Sequence, residues 1–390
     1  MNASLPLSGV RVIELGTVIA GPFAGALLAD LGAEVIKIEP PGKGDMQRGA
    51  GHIKNGLGLW WGVASRDKKC ITLDLKHPEG KTILRQLARK ADVLIENYRP
   101  GTLERLGFGW EALHGLNPRL VMLSISGYGA SGPSASRPGF GKIAEGYSGL
   151  VTLTGNAHER PLFIGFSLAD TTTGLFGALG VLLALFHRDA QGGAGSLVDM
   201  ALYEGLFRML DCQLAVQANT GQAVARQGTN DGYGWGLRSA TRPMFQGVKS
   251  CTGEWFLLRI SDPARALRLV ADSGASGNLR DLLEAYAATR EPEVLRGAMI
   301  GAGIDIVPVL DGATMAASEY MKARGDVLPA SHPKAGDFAV PGYIYPKASQ
   351  GDARRNFHDA GLGEHTDEVL KNDLGYALAE IGRLRAQGVV

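Results

Sequence analysis

The stretch "GVRVIELGTVIAGPFAGALLADLGAEVIKIEP", residues 9–40, decides the fold. Its beginning, 9–16, has the short apolar pattern of a buried strand, and 34–40 repeats that pattern. Between them, 21–33 predicts a helix with Pro22 in its first turn and a glycine near its end. A strand, a helix and a second strand in such close succession predict parallel strands joined by a right-handed crossover.

The same alternation of strands and helices continues to about residue 129. Strands are predicted at "CITLDL", "DVLIENY" and "LVMLSISGYG", and helices at "HPEGKTILRQLARKA" and "GTLERLGFGWEALHGL". This alternation predicts an α/β fold with a doubly wound parallel sheet. Ligands of such sheets bind beyond the carboxyl ends of the strands. The segments there supply four candidate cations, which are Arg48, Lys76, Arg99 and Arg105.

The second half of the chain no longer shows the regular alternation of strand and helix patterns. Two helices are predicted from Asp170 to about residue 220, and the glycine- and aromatic-rich 228–243 predicts a long loop or hinge. A smaller α+β segment follows, and strand and helix patterns return near the end. We therefore predict a large domain over 1–224, a small domain over 225–325, and a return to the large domain over 326–390.

Composition excludes several function classes. The 40 lysines and arginines balance 39 acidic residues, so no global field recruits nucleic acid or an anionic membrane. The three cysteines have no paired spacing, which argues against a disulfide scaffold and against a zinc site. Such cysteine usage is typical of a reducing compartment. The N-terminus lacks a signal-peptide pattern, and the most apolar run, 13 residues, is shorter than the roughly 20 that span a bilayer. We expect a cytoplasmic protein.

Several common catalytic motifs are absent from the sequence. The turn after the first strand, "GTVIAGPFAG", lacks the G-x-G-x-x-G spacing of a dinucleotide site, although Glu39 ends the next strand where a ribose-binding acid would stand. The chain has no P-loop, no G-x-S-x-G nucleophile elbow and no H-E-x-x-H zinc motif. Nicotinamide, nucleoside triphosphate and serine-hydrolase chemistry are therefore disfavoured.

One acid stands out in "GFSLADTTTGLFGALGVLLALF", residues 165–186. Asp170 is the only charged residue of this apolar segment. One interpretation is a helix N-cap, with its carboxylate accepting the N–H of Thr172 or Thr173. The other is a nucleophile, because an ionised and oriented carboxylate can attack an activated acyl group. The two roles do not exclude each other.

Long stretches of the chain resemble family III CoA-transferases, the group of formyl-CoA and carnitine CoA-transferases. The resemblance is carried by 7–45, by "DLKHPEGKTILRQLARKADVLIENYRPGTLERLGFGW", by "ISGYGASGP", by "LADTTTGLFGALGVLLALFHRDAQGGAGSLVDMALYEGL" and by the tail from 361. It implies a Rossmann-like large part with a small domain, in an interlocked ring-shaped homodimer. It also implies a CoA thioester as substrate, a carboxylic acid as second substrate, and no metal or redox cofactor.

The resemblance also implies the site residues. The family's catalytic aspartate falls on Asp170, which would form an aspartyl-acyl anhydride and then an aspartyl-CoA thioester. Backbone amides near 171–186 and the 228–236 loop would stabilise the oxyanion. The CoA contacts fall on Val18, Ile19, Ala20, Leu73, Asp74, Leu75, Lys76, Asn97, Tyr98, Arg99, Arg105, Phe140 and Gly141.

Departures from the family pattern leave the substrate open. Formyl-CoA transferases have a glutamine where this chain has Ile19, and a glycine run where it has "GTNDGYGWG". The related α-methylacyl-CoA racemases use a histidine as a second base, and this chain has Phe140 there. We expect a transferase with a dicarboxylate acceptor, for which Arg137 and Arg238 are candidate partners, and aromatic or bile-type acids stay open as acceptors. A racemase and a non-catalytic CoA-binding protein remain alternatives.

Overall fold

The computed structural model describes residues 5–224, 226, 228, 244–271, 276–332, 335–343 and 360–390. The chain divides into two compact units. The first comprises Met1–Leu150, Ile164–Met209 and Lys322–Val390, and the second comprises Val151–Phe163 and Leu210–Met321. The second unit thus includes 151–163 and 210–224, which lie within the predicted large domain. The boundaries of the folding domains stay a prediction.

Within the described residues the strands, in chain order, are β1 Arg11–Glu14, β2 Glu34–Glu39, β3 Ile53–Lys54, β4 Leu57–Gly58, β5 Lys68–Thr72, β6 Val93–Glu96, β7 Val121–Ser126, β8 Leu197–Ala201, β9 Met244–Lys249, β10 Trp255–Ile260, β11 Asp305–Pro308, β12 Val327–His332 and β13 Gly336–Pro341.

The helices of the same described part are α1 Ala20–Asp30, α2 Leu59–Ala64, α3 Pro78–Arg89, α4 Thr102–Leu106, α5 Trp110–Leu116, α6 Gly141–Tyr147, α7 Leu150–Leu153, α8 Leu168–Ala190, α9 Glu204–Met209, α10 Asp211–Thr220, α11 Pro263–Val270, α12 Leu279–Ala288, α13 Pro292–Gly301, α14 Gly312–Ala317, α15 Glu319–Ala323, α16 Thr366–Leu374 and α17 Leu378–Ala386.

The main sheet of the first unit has six strands in the order β5-β2-β1-β6-β7-β8. All five strand pairs are parallel, as the sequence predicted. Counted along the chain, this is the order 3-2-1-4-5-6 of doubly wound sheets that bind ligands where the order reverses. That point lies between β1 and β6, so the loops after these two strands face one crevice.

Helices cover both faces of this sheet. On one face, side chains such as Ile13 and Leu94 pack in a core with α3, α5, α16 and α17. On the other, their neighbours Val12 and Val93 pack with α1 and α8. Alternate residues of a strand point to opposite faces, and strands buried on both sides are therefore largely apolar. This arrangement confirms the predicted α/β architecture.

The region after Asp170 differs from the expectation of two helices up to residue 220. Helix α8 is followed by β8, the edge strand of the sheet, and only then by α9 and α10. The segment "SLVDMA" is a short strand with one exposed face, so its alternating pattern covers too few residues to separate strand from helix.

Helix α8 is also longer than the 13-residue apolar run of the sequence. Among the described residues it is the one helix long and apolar enough to cross a membrane, by length and composition alone. Half of its most apolar window is buried inside the protein. The core helix of a globular protein meets the same criteria.

The second unit has its own small core. Strands β11-β10-β9 form an antiparallel sheet. Phe256 and Leu258 of its middle strand pack against α11, α12 and α13. This matches the predicted α+β segment.

Candidate active site

Asp170 lies in the first turn of α8 but does not cap it. The helix begins at Leu168, its N-cap is Ser167, and Asp170 is therefore the third helical residue. The prediction that Asp170 is the N-cap is wrong. The prediction failed because "FSLAD" offers two capping residues, and only the tertiary structure decides which one precedes the first turn.

Glu145, on α6, provides the acceptor that the start of α8 needs. The backbone N–H of Leu168 donates to Glu145 Oε1 at 3.2 Å. Lys142 Nζ lies 2.9 Å from both oxygens of the same carboxylate. Lys142 Nζ also donates to the carbonyl oxygens of Ile164 and Phe166, each at 2.6 Å. The helix start is thus held from outside, and Asp170 is not needed as its N-cap.

The three threonines after Asp170 anchor the helix rather than the carboxylate. Thr171 Oγ1 donates to the Ser167 carbonyl at 3.1 Å. Buried Thr173 donates to the Leu202 carbonyl at 2.9 Å. Thr172 packs against Gly205, where a Cβ would lie 3.0 Å from its methyl group. These contacts fix the rotation of the first turn and hence the direction of Asp170.

Gly141 forms the wall against which the Asp170 carboxylate lies. A Cβ built on Gly141 would stand 3.0 Å from Asp170 Cγ and closer still to Oδ2. Only a residue without a side chain leaves room for the carboxylate in this position. The sequence had assigned Gly141 to CoA contact by resemblance; the structure brings it into contact with Asp170.

Burial raises the pKa of the Asp170 carboxyl to about 6, and the nearby Glu145 carboxylate adds to the rise. Its own backbone N–H and the Lys142 ammonium lower the pKa by less. At pH 7 the group is therefore about nine-tenths ionised. A carboxylate that is ionised yet poorly solvated is a better nucleophile than one in water, and such perturbed groups cluster at functional sites.

The loop between β1 and α1 is held by buried polar side chains. Lys37 Nζ donates to the Gly16 carbonyl, and Asp45 Oδ1 accepts the Val18 N–H at 3.1 Å. The Asn97 side chain bonds both backbone groups of Thr17, each at 2.7 Å. Val18 has φ +67°, a left-handed conformation that costs a β-branched residue free energy. The clamps on either side hold this strained residue, and its side chain is exposed.

This loop packs beside the same helix that carries Asp170. A Cβ on Gly174 of α8 would lie 2.7 Å from the Ala20 carbonyl oxygen of α1. The glycine therefore permits α1 and α8 to approach closely one turn beyond Asp170. Ile19 is the N-cap of α1 and Ala20 is its first residue, so two of the predicted CoA contacts stand next to the Asp170 helix.

The remaining predicted contacts follow other strands of the sheet. Leu73 is buried and donates its N–H to the Glu39 carbonyl, and the Asp74 N–H donates to Val389, so the turn that ends at Lys76 is fixed on both sides. Tyr98 is half-buried after β6. The side chains of Lys76, Arg99, Arg105 and Phe140 are exposed at the surface.

Two of the predicted side chains have hydrogen-bond partners within the protein. Asn97 turns its amide to Thr17, so its side chain positions the loop. Arg48 was a candidate cation for the ligand, but it pairs with the buried Glu39 through two bonds of 2.7 Å and stacks on Trp61 at 4.0 Å. Glu39, the acid that stands where a dinucleotide site would bind the ribose, is therefore paired with Arg48.

Sequence reasoning missed four positioning side chains, namely Lys37, Asp45, Lys142 and Glu145. Lys37 gave a signal, because a lysine in the middle of the apolar strand "EVIKIEP" needs a buried partner. Arg238 and most of the 228–236 loop lie outside the described residues. Within the described ranges, no group of three or more His, Cys, Asp or Glu side chains could hold a metal ion.

Known proteins with a similar sequence point to one family. Residues 7–366 match CoA-transferase family III. The chain is 35% identical to succinyl-CoA–D-citramalate CoA-transferase of Chloroflexus aurantiacus, over 99% of this chain and 98% of the relative. It is 31% identical to human succinyl-CoA:glutarate CoA-transferase, over 100% and 91% of the two chains.

A solved structure agrees with this result. The crystal structure of a CaiB/BaiF family protein from Brucella suis has a TM-score of 0.83 and 28% identity, covering 95% of this chain and all of the other. The motifs quoted above, the sheet and the sequence matches agree. The chain belongs to family III of the CoA-transferases and is an enzyme of that class.

Proposed function

We propose that this enzyme moves CoA from an acyl-CoA donor to a dicarboxylic acid, with Asp170 as the covalent nucleophile. One observation carries the proposal. The Asp170 carboxylate is half-buried against Gly141, ionised at neutral pH, and not the N-cap of its helix. A carboxylate held in this way can act as a nucleophile toward an activated acyl group.

The chemistry needs only carboxylate and thiolate exchange. Asp170 attacks the thioester carbonyl carbon, the C–S bond breaks, and an aspartyl-acyl anhydride forms as CoA thiolate leaves. The thiolate then attacks the aspartyl carbonyl, which releases the donor acid and leaves an aspartyl-CoA thioester. The acceptor carboxylate attacks this thioester, which releases CoA thiolate and forms a second anhydride, between Asp170 and the acceptor. The thiolate then attacks the acceptor's carbonyl carbon, so that the new acyl-CoA forms and the Asp170 carboxylate leaves. Asp170 is regenerated, and no net proton or electron is consumed.

The positions of three predicted CoA contacts support this mechanism. Lys76, Arg99 and Arg105 are exposed cations on loops and a helix after β5 and β6, at the carboxyl edge of the sheet. The guanidinium group of arginine can donate two hydrogen bonds to one phosphate, so Arg99 and Arg105 are well suited to bind the phosphates of CoA.

Removing these cations should weaken CoA binding without affecting the acyl chemistry. We expect the double variant Arg99→Ala, Arg105→Ala to bind CoA about 5- to 100-fold more weakly, if each guanidinium makes a charge-assisted bond. Calorimetry at low salt measures this. Affinity equal to that of the wild type would remove both residues from the site.

The dicarboxylate acceptor is inferred from the relatives. Three relatives are named as CoA-transferases between succinyl-CoA and citramalate, malate or glutarate. Arg137 is exposed in the segment that leads to α6 and to Gly141, the residue in contact with Asp170. Of the two candidate arginines, it is the one within the described residues, and we propose that it binds the second carboxylate of the acceptor. Arg238 stays a prediction.

A racemase is less well supported at the same place. Phe140 directly precedes Gly141, and its side chain is 64% exposed. It cannot exchange a proton, so the second base of a racemase has no counterpart at this position.

The direct test is CoA transfer with a panel of acids. We expect the protein to move CoA from succinyl-CoA to at least one of citramalate, malate or glutarate, with release of succinate. Chromatography of the CoA esters measures it. A racemase would instead exchange the α-hydrogen in deuterated water without a new ester. Binding of acyl-CoA with neither reaction would support the non-catalytic alternative.

We also propose that the enzyme is a homodimer. The exposed face of α8 carries a stripe of large apolar side chains at helical spacing, which are Leu175, Leu179, Leu183 and Phe186, exposed by 54, 48, 61 and 64%. Such a stripe on a protein in water marks an interface. Sedimentation at nanomolar concentration tests this, and a stable monomer would contradict it.

A further inference from the structure

We propose that Glu145 and Lys142 are positioning residues for Asp170, holding segment 164–167 and the start of α8 so that the carboxylate faces the substrate. This rests on the proposed function of Asp170. Neither residue was singled out by its sequence context, and neither touches the reacting atoms in the mechanism above.

The geometry singles out this pair. Glu145 is fully buried, whereas Lys142 is partly exposed. Lys142 Nζ donates to two carbonyl groups of this segment, those of Ile164 and Phe166. Glu145 Oε1 accepts the first helical amide, that of Leu168. Three contacts within five residues fix the chain directly before Asp170.

The local helix signals do not supply this stabilisation. The N-cap residue Ser167 makes no side-chain capping bond, and the first turn contains no other acid than Asp170. A helix start without a cap frays readily. If Glu145 did not accept the Leu168 amide, the Asp170 side chain could rotate toward the unpaired amides of the first turn. Its carboxylate would then no longer face the substrate. The external cap therefore keeps the nucleophile in place.

The charge of Glu145 has a second effect. Its carboxylate disfavours a second negative charge on α8, and removing that charge should lower the pKa of Asp170. The acids on other elements packed against α8 are occupied elsewhere: Asp30 pairs with Arg66, Asp199 accepts the Ala130 amide, and Glu204 accepts the Ala201 amide. Of the two charges on α6, Lys142 opposes the effect of Glu145 only partly.

Two substitutions separate position from charge. Glu145→Gln keeps an oxygen that can accept the Leu168 amide but removes the charge. Glu145→Ala removes both. Glu111→Gln, on the exposed side of α5, is the matched control, because it removes one carboxylate far along the chain from the site.

We expect Glu145→Ala to lower kcat about 10- to 100-fold with KM for acyl-CoA changed less than about 3-fold, because a displaced nucleophile loses transition-state contact and not substrate binding. Glu145→Gln should keep kcat within about 3-fold above pH 7, with the acidic limb of its pH profile moved to lower pH. Glu111→Gln should match the wild type in both respects.

Carbon-13 NMR of aspartate carboxyl groups reports the same shift without turnover, with the Asp170 signal assigned by its loss in Asp170→Asn. A wild-type kcat and pH profile in a folded Glu145→Ala enzyme, with an unmoved Asp170 titration in Glu145→Gln, would overturn the proposal. If the wild type transferred no CoA, the proposed function would fail, whereas the NMR titration would still decide whether the pair controls Asp170.

Discussion

Asp170→Asn should lose at least about 10³-fold in the rate of CoA transfer and still fold. Asparagine keeps the shape of the side chain but has no anionic oxygen to attack a thioester, and losses of this size are typical when a covalent nucleophile is removed. Because Glu145 holds the start of α8, Asp170→Ala should also fold. Acyl-CoA binding should remain in both variants, since the exposed cations are untouched.

Stability measurements provide a second signature of this carboxylate. The folded-state pKa of Asp170, about 6, lies above the value of about 3.9 expected in the unfolded chain. A group with a raised pKa stabilises the fold fully only below pH of about 4, and this contribution is lost as the pH rises through about 6. Asparagine does not titrate. Asp170→Asn should therefore be as stable as the wild type near pH 4 and more stable than it above pH 6, as thermal melts at several pH values would show.

The control for the loss of CoA transfer in Asp170→Asn is the variant Asp211→Asn. Asp211 also stands in the first turn of a helix, α10, but it is exposed and its helix belongs to the second unit. This variant should keep its transfer rate. If Asp170→Asn bound acyl-CoA and transferred CoA at a rate near that of the wild type, the covalent mechanism would be wrong.

Gly141→Ala should lower kcat about 100-fold or more. The new methyl group would occupy the space of the Asp170 carboxylate. The carboxylate, which is the reacting group, would have to move away. A displacement of about 1 Å is enough for a loss of this size. Alanine suits a helix better than glycine, so the fold should be retained. Steady-state kinetics and a thermal melt measure the two effects.

Gly146→Ala is the matched control, because Gly146 lies on the same helix with nothing within 4 Å of its Cβ position. We expect wild-type kcat there. A Gly141→Ala enzyme with unchanged kcat would show that Asp170 does not need its observed position.

Much of the fold could be predicted from the sequence because its signals are local. The strand–helix–strand pattern of 9–40 contains both the apolar runs and the punctuation of Pro22 and Gly32, and the structure contains the parallel pairing that follows from them. Strand β8 was missed because five residues with one exposed face carry too little periodicity.

The site was harder to predict because its organisation is not local. Asp170 could be found as an isolated acid in an apolar segment, whereas its partner Glu145 lies 25 positions earlier in an ordinary "KIAEGY" stretch. The Arg48–Glu39 pair and the Asn97 clamp on Thr17 likewise join residues that only the fold brings together. Spacing in a sequence identifies candidate groups, but the choice of hydrogen-bond partner is made in three dimensions.

The most direct test of the account is mass spectrometry of the protein after brief incubation with succinyl-CoA and rapid quenching in acid. The account predicts a CoA adduct, joined as a thioester to the peptide that contains Asp170, in the wild type but not in Asp170→Asn. Reduction with borohydride should convert the modified aspartate to homoserine. Transfer of CoA with no adduct at any time point, or an adduct that persists in Asp170→Asn, would contradict it.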